Sequence, residues 1–422
     1  MRLGIATFLS AVAIVACAGA EDSALPGDAT EFGEDVASPD ASSSEEVFSD
    51  EGSLAESSVV SWDKAFGGTG DDFAGQAIQT VDGGYIIAGG TKSKGAGGWD
   101  AWVLRLDGQG KLLWDRTFGG ADDDGAYSVL QTADGGHIVA GYTKSKGAGG
   151  WDAWVLRLDG QGKLLWDRTF GGADDDGAYS ILQTADGGYI VAGYTKSKGA
   201  GGWDAWVLRL DGQGKLLWDK AFGGVGDETA YSINQTADLG LVIAGVTSSK
   251  GAGSWDAWVL CLDAQWQPLW DKTFGGSGHD EAFSVQQTPD GGYIVVGSVE
   301  KANNWDAWVL RLDGEGEKLW DKTFGGKEFD EAWWVQQTSD GGHIVAGVTL
   351  SKGAGLSDAW LFRLDDGGEL LWDRSFGGIG HDQAENVMQT DDGGYIVAGS
   401  TRSRGTGDLD AWVLKLDRNG RL

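Results

Sequence analysis

Between Trp62 and Leu422, short apolar runs alternate with clusters of Gly, Asp and Ser. Residues 166–217 show the pattern. Ala178–Thr184, Tyr189–Thr195, Asp204–Asp211 and Leu216–Phe222 are rich in the β-branched and aromatic residues that favour extended chain. Asp186-Gly187-Gly188 joins the first two runs and supplies the positive φ that a tight hairpin needs. A Gly-rich loop precedes the third run, and Gly212-Gln213-Gly214 precedes the fourth. No helical period appears. The segment therefore predicts four short antiparallel strands.

The same segment recurs along the chain. Trp62, Trp114, Trp166, Trp218, Trp270, Trp320 and Trp372 mark seven units, spaced by 52, 52, 52, 52, 50 and 52 residues. A four-stranded unit at this period predicts an all-β, seven-bladed propeller over residues 58–422. Solenoid repeats are shorter. Each unit also carries a D-A-W tripeptide (Asp100-Ala101-Trp102 in the first) and an F-G-G run (Phe66-Gly67-Gly68 onward). The Trp rings are expected to wedge between blades, the glycines to form the exit from the outer strand, and the D-A-W Asp to cap amides of its own loop.

The string DGGYIVAG…DAWVLRLDGQGKLLW resembles the repeat of quinoprotein-type propellers, whose repeats are similar to those that bind pyrroloquinoline quinone. The resemblance implies that the AYSILQT run is the inner strand and the KLLWDRTF run the outermost. Unit seven then lacks an outer strand, and Ser58–Phe66 is expected to supply it and close the ring. The vicinal Cys pair of the quinoprotein dehydrogenases has no counterpart here, so bound quinone is not expected.

The first residues change the picture from fold to address. Met1-Arg2 is a short basic start, and Leu3 to Ala13 is apolar but too short to span a membrane as a helix. Ile14-Val15-Ala16-Cys17 resembles the bacterial lipobox. That resemblance implies a lipoprotein signal peptide at 1–16 and lipid on Cys17, anchoring the protein to the bacterial cell envelope. Ala18, rather than Asp, after the Cys points to the outer membrane. Residues 18–57 hold twelve Asp or Glu and no Lys or Arg, so residues 17–57 are expected to form an acidic, disordered tether.

The net charge of −32 argues against nucleic acid as a partner. Cys261, standing where other units have Arg or Lys, is a lone thiol and forms no thiolate metal cage. Loop order places two rings on one face. One is acidic: Asp72, Asp124, Asp176, Glu228, Asp280, Asp330 and Asp382. The other is basic: Lys92/Lys94, Lys144/Lys146, Lys196/Lys198, Lys250, Lys301, Lys352 and Arg402/Arg404. They are expected either to satisfy each other and the neighbouring loops or to form a polar platform around a funnel. The runs Asp122-Asp123-Asp124 and Asp174-Asp175-Asp176 offer oxygen ligands but lack an EF-hand-like spacing, and His279 and His381 lie in non-adjacent units. No cofactor or metal is expected; calcium is the one ion these runs bring into question.

The units differ most at the start of the inner strand, where they read Gly75-Gln76, Tyr127-Ser128, Tyr179-Ser180, Tyr231-Ser232, Phe283-Ser284, Trp333-Trp334 and Glu385-Asn386. Tyr127, Tyr179, Tyr231, Phe283, Trp333, Trp334 and Glu385 are therefore the candidate binding mouth, set against the plainer expectation that the aromatics pack between blades. No Ser-His-Asp, Cys-His or HExxH pattern is present. Units two and three differ only at Val129/Ile181 and His137/Tyr189, which suits a repeated surface better than one catalytic centre. The expectation is a monomeric, lipid-anchored binding or scaffolding propeller for glycans or proteins. A glycoside-active enzyme with carboxylates in the funnel, and an accessory lipoprotein in outer-membrane protein assembly, are the alternatives.

Overall fold

The computed structural model describes residues 60–301 and 304–422. The expected signal peptide (1–16), the lipidated Cys17 and the acidic tether (17–57) lie outside the described residues. The described chain forms seven four-stranded antiparallel sheets, the blades of a seven-bladed propeller. Blades 1 to 6 each run through four consecutive strands: Asp72–Phe118, Asp124–Phe170, Asp176–Phe222, Glu228–Phe274, Asp280–Phe324 and Asp330–Phe376. Blade 7 takes three strands from Asp382–Leu416, and its fourth is Trp62–Phe66, paired antiparallel from Trp62↔Lys415 to Phe66↔Ala411. Ring closure by the N-terminal strand is as expected, though the strand begins at Trp62 and is shorter than Ser58–Phe66. In blade 3 the inner strand is Asp176–Gln183, starting before the expected Ala178 because Asp176 already pairs with Thr195.

Seven apolar clusters hold the ring, one at each blade–blade contact. At the seam, Ile396, Ala398, Ala411 and Val413 of blade 7 pack with Trp62 against Ala74, Ile87, Trp102 and Leu104 of blade 1. The D-A-W tryptophans are almost wholly buried in these clusters. The N–H of each such indole is satisfied by an outer-strand carboxylate, as in Trp102 Nε1 to Asp115 Oδ2 at 3.1 Å. Lys94 lies over that ring and pairs with the same Asp115. The seam repeats the arrangement with Trp412, Asp63 and Arg404. On the opposite edge, the outer Trp of each blade rests on the turn of the next. Trp62 donates to Gly108 O at 3.3 Å, and a Cβ on Gly110 would sit 2.7 Å from its ring. At that turn φ is +73°, so Gly is needed for both reasons.

Blade 4 departs from this plan. Trp266 takes the Gly position at φ +60° and packs against Trp218 with ring centroids 4.2 Å apart. Cys261 replaces the Arg, or in blade 7 the Lys, that elsewhere ties the third strand to the D-G-G turn, and is buried with its thiol 3.5 Å from the Tyr293 hydroxyl.

Candidate functional site

The acidic ring is not a solvent-facing platform. Asp72, Asp124, Asp176, Asp280, Asp330 and Asp382 are fully buried, and Glu228 almost so. Asp124 shows why. Its carboxylate accepts from Thr143 Oγ1, from Ser145 Oγ at 2.7 Å and from Gly120 N at 2.8 Å, so it ties the F-G-G exit to the loop after the second strand. Glu228 does the same through Thr247 and Gly224. The basic residues turn outward instead: Lys146, Lys198, Lys250 and Lys352 pair with outer-strand aspartates. Six of the D-A-W aspartates cap their loops as expected, Asp100 accepting from Ala96 N at 2.8 Å; Asp306 accepts from Asn304 Nδ2 at 3.3 Å.

With these residues consumed by the scaffold, the departures from repetition become the site. In every blade the inner strand carries a β-bulge immediately after its Ala. Ala178 pairs with Gly193 and Ser180 with Ala192, leaving Tyr179 unpaired between them. A bulge turns one side chain out of the alternation of the strand. The bulged positions are Gly75, Tyr127, Tyr179, Tyr231, Phe283, Trp333 and Glu385. The facing glycine is obligatory: a Cβ on Gly193 would lie 1.9 Å from Gly177 O.

The bulged side chains meet one another around one end of the central channel. Tyr127, Tyr179, Tyr231 and Phe283 follow in contact, with centroids 5.2, 5.5 and 5.3 Å apart. Phe73 extends the row to Tyr127, standing in for the missing side chain of Gly75. Tyr142 and Tyr194 lie behind it over Gly125 and Gly177, and lead outward to Trp151 and Trp203. Blades 1 to 5 thus carry a continuous row of aromatic rings along the mouth.

Blades 5 to 7 line it with carboxyl groups. Glu281 and Glu331 are buried beside the bulge and Glu385 occupies it. Trp333 Nε1 donates to Glu331 Oε2 at 2.7 Å, Gln383 Nε2 to Glu385 Oε1 at 2.7 Å, and His279 Nε2 lies 2.9 Å from Glu281 Oε1. Among the described residues no lysine or arginine pairs with any of the three. Burial pushes the Glu331 carboxyl up to about 8; Glu281 and Glu385 add repulsion, and the Trp333 N–H acts in the opposite direction. Burial likewise lifts Glu385 to about 7, against the Gln383 donor. Tyr127, whose phenol burial also holds well above its ordinary range, feels Glu385 across the seam. The two arcs therefore face a common space.

Trp334 does not belong to this mouth. It points into a cavity of about 150 Å³ deeper in the channel, lined also by Gln76, Ser284, Gln286, Asn386 and Met388, and packs on the apolar cluster between blades 6 and 7. Its position is also a blade-bridging one: Ser284 Oγ accepts from Val335 N and Asn386 Oδ1 from Ala77 N. Trp334→Ala is accordingly expected to cost about 2 kcal/mol in chemical denaturation.

The sequence pattern located the bulge residues but passed over the position two before each. There the units read Phe73, Gly125, Gly177, Thr229, Glu281, Glu331 and Gln383, a divergence as large as that at the bulge itself. It also passed over the rim tryptophans. Trp255 stacks on His279 with centroids 5.8 Å apart, and Trp305 lies 4.8 Å from the same ring. Among the described residues no group of three or more His, Cys, Asp or Glu side chains could hold a metal ion.

No family model matches the sequence, and no curated protein matches it. Solved structures match the fold. The Pan2 WD40 domain of Neurospora crassa aligns with a TM-score of 0.51 at 11% identity, over 82% of this chain and 89% of that one. BBS1N, solved in complex with ARL6DN, aligns at 0.50 and 10% identity, over 86% and 99%. A protein of unknown function from Bacteroides caccae aligns at 0.43 and 12% identity, over 65% and 90%. At these identities the likeness is one of fold.

Proposed function

We propose that this chain is a binding module of the bacterial cell envelope, lipid-anchored through Cys17 and held on an acidic tether, whose protein partner docks at the asymmetric mouth. One observation carries the reading. The polar groups shared by all blades are consumed in building them, whereas among the described residues Glu281, Glu331 and Glu385 have no lysine or arginine partner and lie beside an aromatic wall. The rings of that wall are tilted against each other by 43° to 59° and offer no flat platform, which favours a protein partner over a stacked sugar ring. The match to BBS1N, solved in complex with ARL6DN, is a precedent for a ring of this kind holding a partner. The test is an array of peptides and glycans probed with the full chain carrying Cys17→Ser. Peptide signals that disappear in Tyr231→Ala support the reading; signals confined to glycans, or none, contradict it.

The anchor has its own test. Cys17→Ser is expected to move the protein from washed membranes to the soluble fraction, because lipid on that thiol is the attachment. Retention of the variant in membranes would contradict lipidation as the anchor.

A glycoside-active enzyme is the second reading, favoured by one feature. Glu331 is protonated near neutral pH beside the carboxyl of Glu281, and an acid next to a second carboxyl group is the inventory of sugar hydrolysis. Release of reducing ends from polysaccharides, abolished in Glu331→Gln, would establish it.

A further inference from the structure

At matching places around the mouth, the two arcs are built from opposite chemistry. In blades 2 and 3 a glycine on the inner strand faces a tyrosine on the second: Gly125↔Tyr142 and Gly177↔Tyr194. In blades 5 and 7 a long polar side chain faces a serine: Glu281↔Ser298 and Gln383↔Ser400. The carboxylate and amide arms thus stand where the other arc has phenol rings.

This exchange leaves two kinds of unmet demand. Ser298 and Ser400 are fully buried; among the described residues the Ser400 hydroxyl has no hydrogen-bond partner, and the Ser298 hydroxyl has only the Glu331 carboxyl within reach. Ser298 lies across the strand pair from Glu281 and close enough to Glu331 to favour its charged form. A buried hydroxyl without a partner is uncommon enough to need a reason. The second demand is charge. Three carboxyl groups share one arc, and among the described residues His279 is the one basic neighbour paired to them. Carboxyl groups that burial holds protonated give up the proton and are stabilised as carboxylates when a cation completes them.

The missing cation is an organic one. The three carboxyl groups are not gathered into a coordination set for a metal ion. Tyr231, in contact with Phe283, lies close enough to Glu281 and Glu331 to feel their charge, and Trp333 donates to Glu331; rings beside carboxylates attract a cation that carries an apolar stem.

Building on the binding-module reading, we propose that the protein partner inserts one lysine or arginine side chain into this arc. Its cationic head is received by Glu281, Glu331 and Glu385, with the Ser298 and Ser400 hydroxyls as further acceptors, and its stem runs along Tyr231, Phe283 and Trp333.

The probes are butylammonium and butylguanidinium chloride, with 1-butanol, potassium chloride and glucosamine as comparisons. They are titrated into the full chain carrying Cys17→Ser and followed by the indole N–H resonance of Trp333, which reports its bond to Glu331. Saturable changes in that resonance at roughly millimolar concentration are expected for one or both alkyl cations and not for butanol or potassium. The double variant Glu281→Gln, Glu331→Gln should weaken them at least tenfold while its melting temperature is not lowered. Leu217→Ser, on the exposed outer strand of blade 3, should leave them unchanged. Equal response to butanol, indifference to the double variant, or no response to either cation would overturn the proposal. A response to glucosamine alone would overturn it in favour of an amino-sugar ligand. If array peptides lacking Lys and Arg bind at the mouth while the alkyl cations do not, the binding-module reading stands and this inference falls.

Discussion

Removing residues 18–67 is expected to lower the stability of the propeller by about 5 kcal/mol or more, whereas removing 18–57 should leave it unchanged. The larger deletion takes away the outer strand of blade 7. Its five residue pairs with Lys415–Ala411 go, and the burial of Trp62 against Tyr85 and Gly110 goes with them. Burying one Trp is worth about 3–5 kcal/mol on large-to-small scales. Loss of Asp63 also frees the Trp412 indole and Arg404. The ring should not open entirely, because the inner strands of blades 7 and 1 remain joined through Ala77 N to Asn386 Oδ1 and Asp391 N to Gln79 Oε1. Denaturant unfolding of the two truncated proteins checks this. Equal midpoints would contradict closure by the N-terminal strand.

The second large effect depends on pH. Glu331 titrates at about 8 in the folded protein, against 4.5 for a free glutamate. Its proton is held more tightly in the folded state, so folding stability falls as pH rises through this window, and the whole penalty is present above pH 8. Each tenfold gain in proton affinity on folding corresponds to about 1.4 kcal/mol. Coupling to Glu281 and Glu385 spreads the effect, and Glu331→Gln is expected to gain about 3 kcal/mol over the natural protein at pH 9 and nothing near pH 4. The Gln side chain can still accept from Trp333 Nε1. On the acid side the natural protein and the variant should fall together, since buried His137, lowered to about 4, resists protonation in both. Melting temperatures from pH 4 to 9 decide the matter. Parallel curves for the two proteins would show that Glu331 is not held protonated.

The fold was legible because every level of the sequence agreed. Strand runs, D-G-G turns and the Trp period pointed to one architecture, and the missing outer strand of unit seven identified its replacement. The ring carboxylates were less legible. Asp124 reads as an exposed loop residue, yet Thr143 and Ser145 fold over it, and that depends on a hydrogen-bond geometry the pattern does not contain. Trp334 was joined to Trp333 because they are adjacent. The bulge separates them, since an unpaired residue breaks the two-residue alternation on which facing is judged. Glu281 and Glu331 were hidden for another reason: a chain with 64 acidic residues makes any single Glu look like solvation, and what sets these apart is burial without a lysine or arginine partner among the described residues.

The claim that the repeats build the ring while the asymmetric mouth does the binding is tested most directly by photo-cross-linking in cells making the full, lipidated chain. A benzophenone amino acid replaces Tyr231 in the mouth or Leu217 on the outer strand of the neighbouring blade. A discrete protein adduct is predicted from position 231, absent from position 217, and lost when Glu281→Gln and Glu331→Gln are added. An adduct from position 217 alone, or one from position 231 that survives removal of both carboxylates, would contradict it.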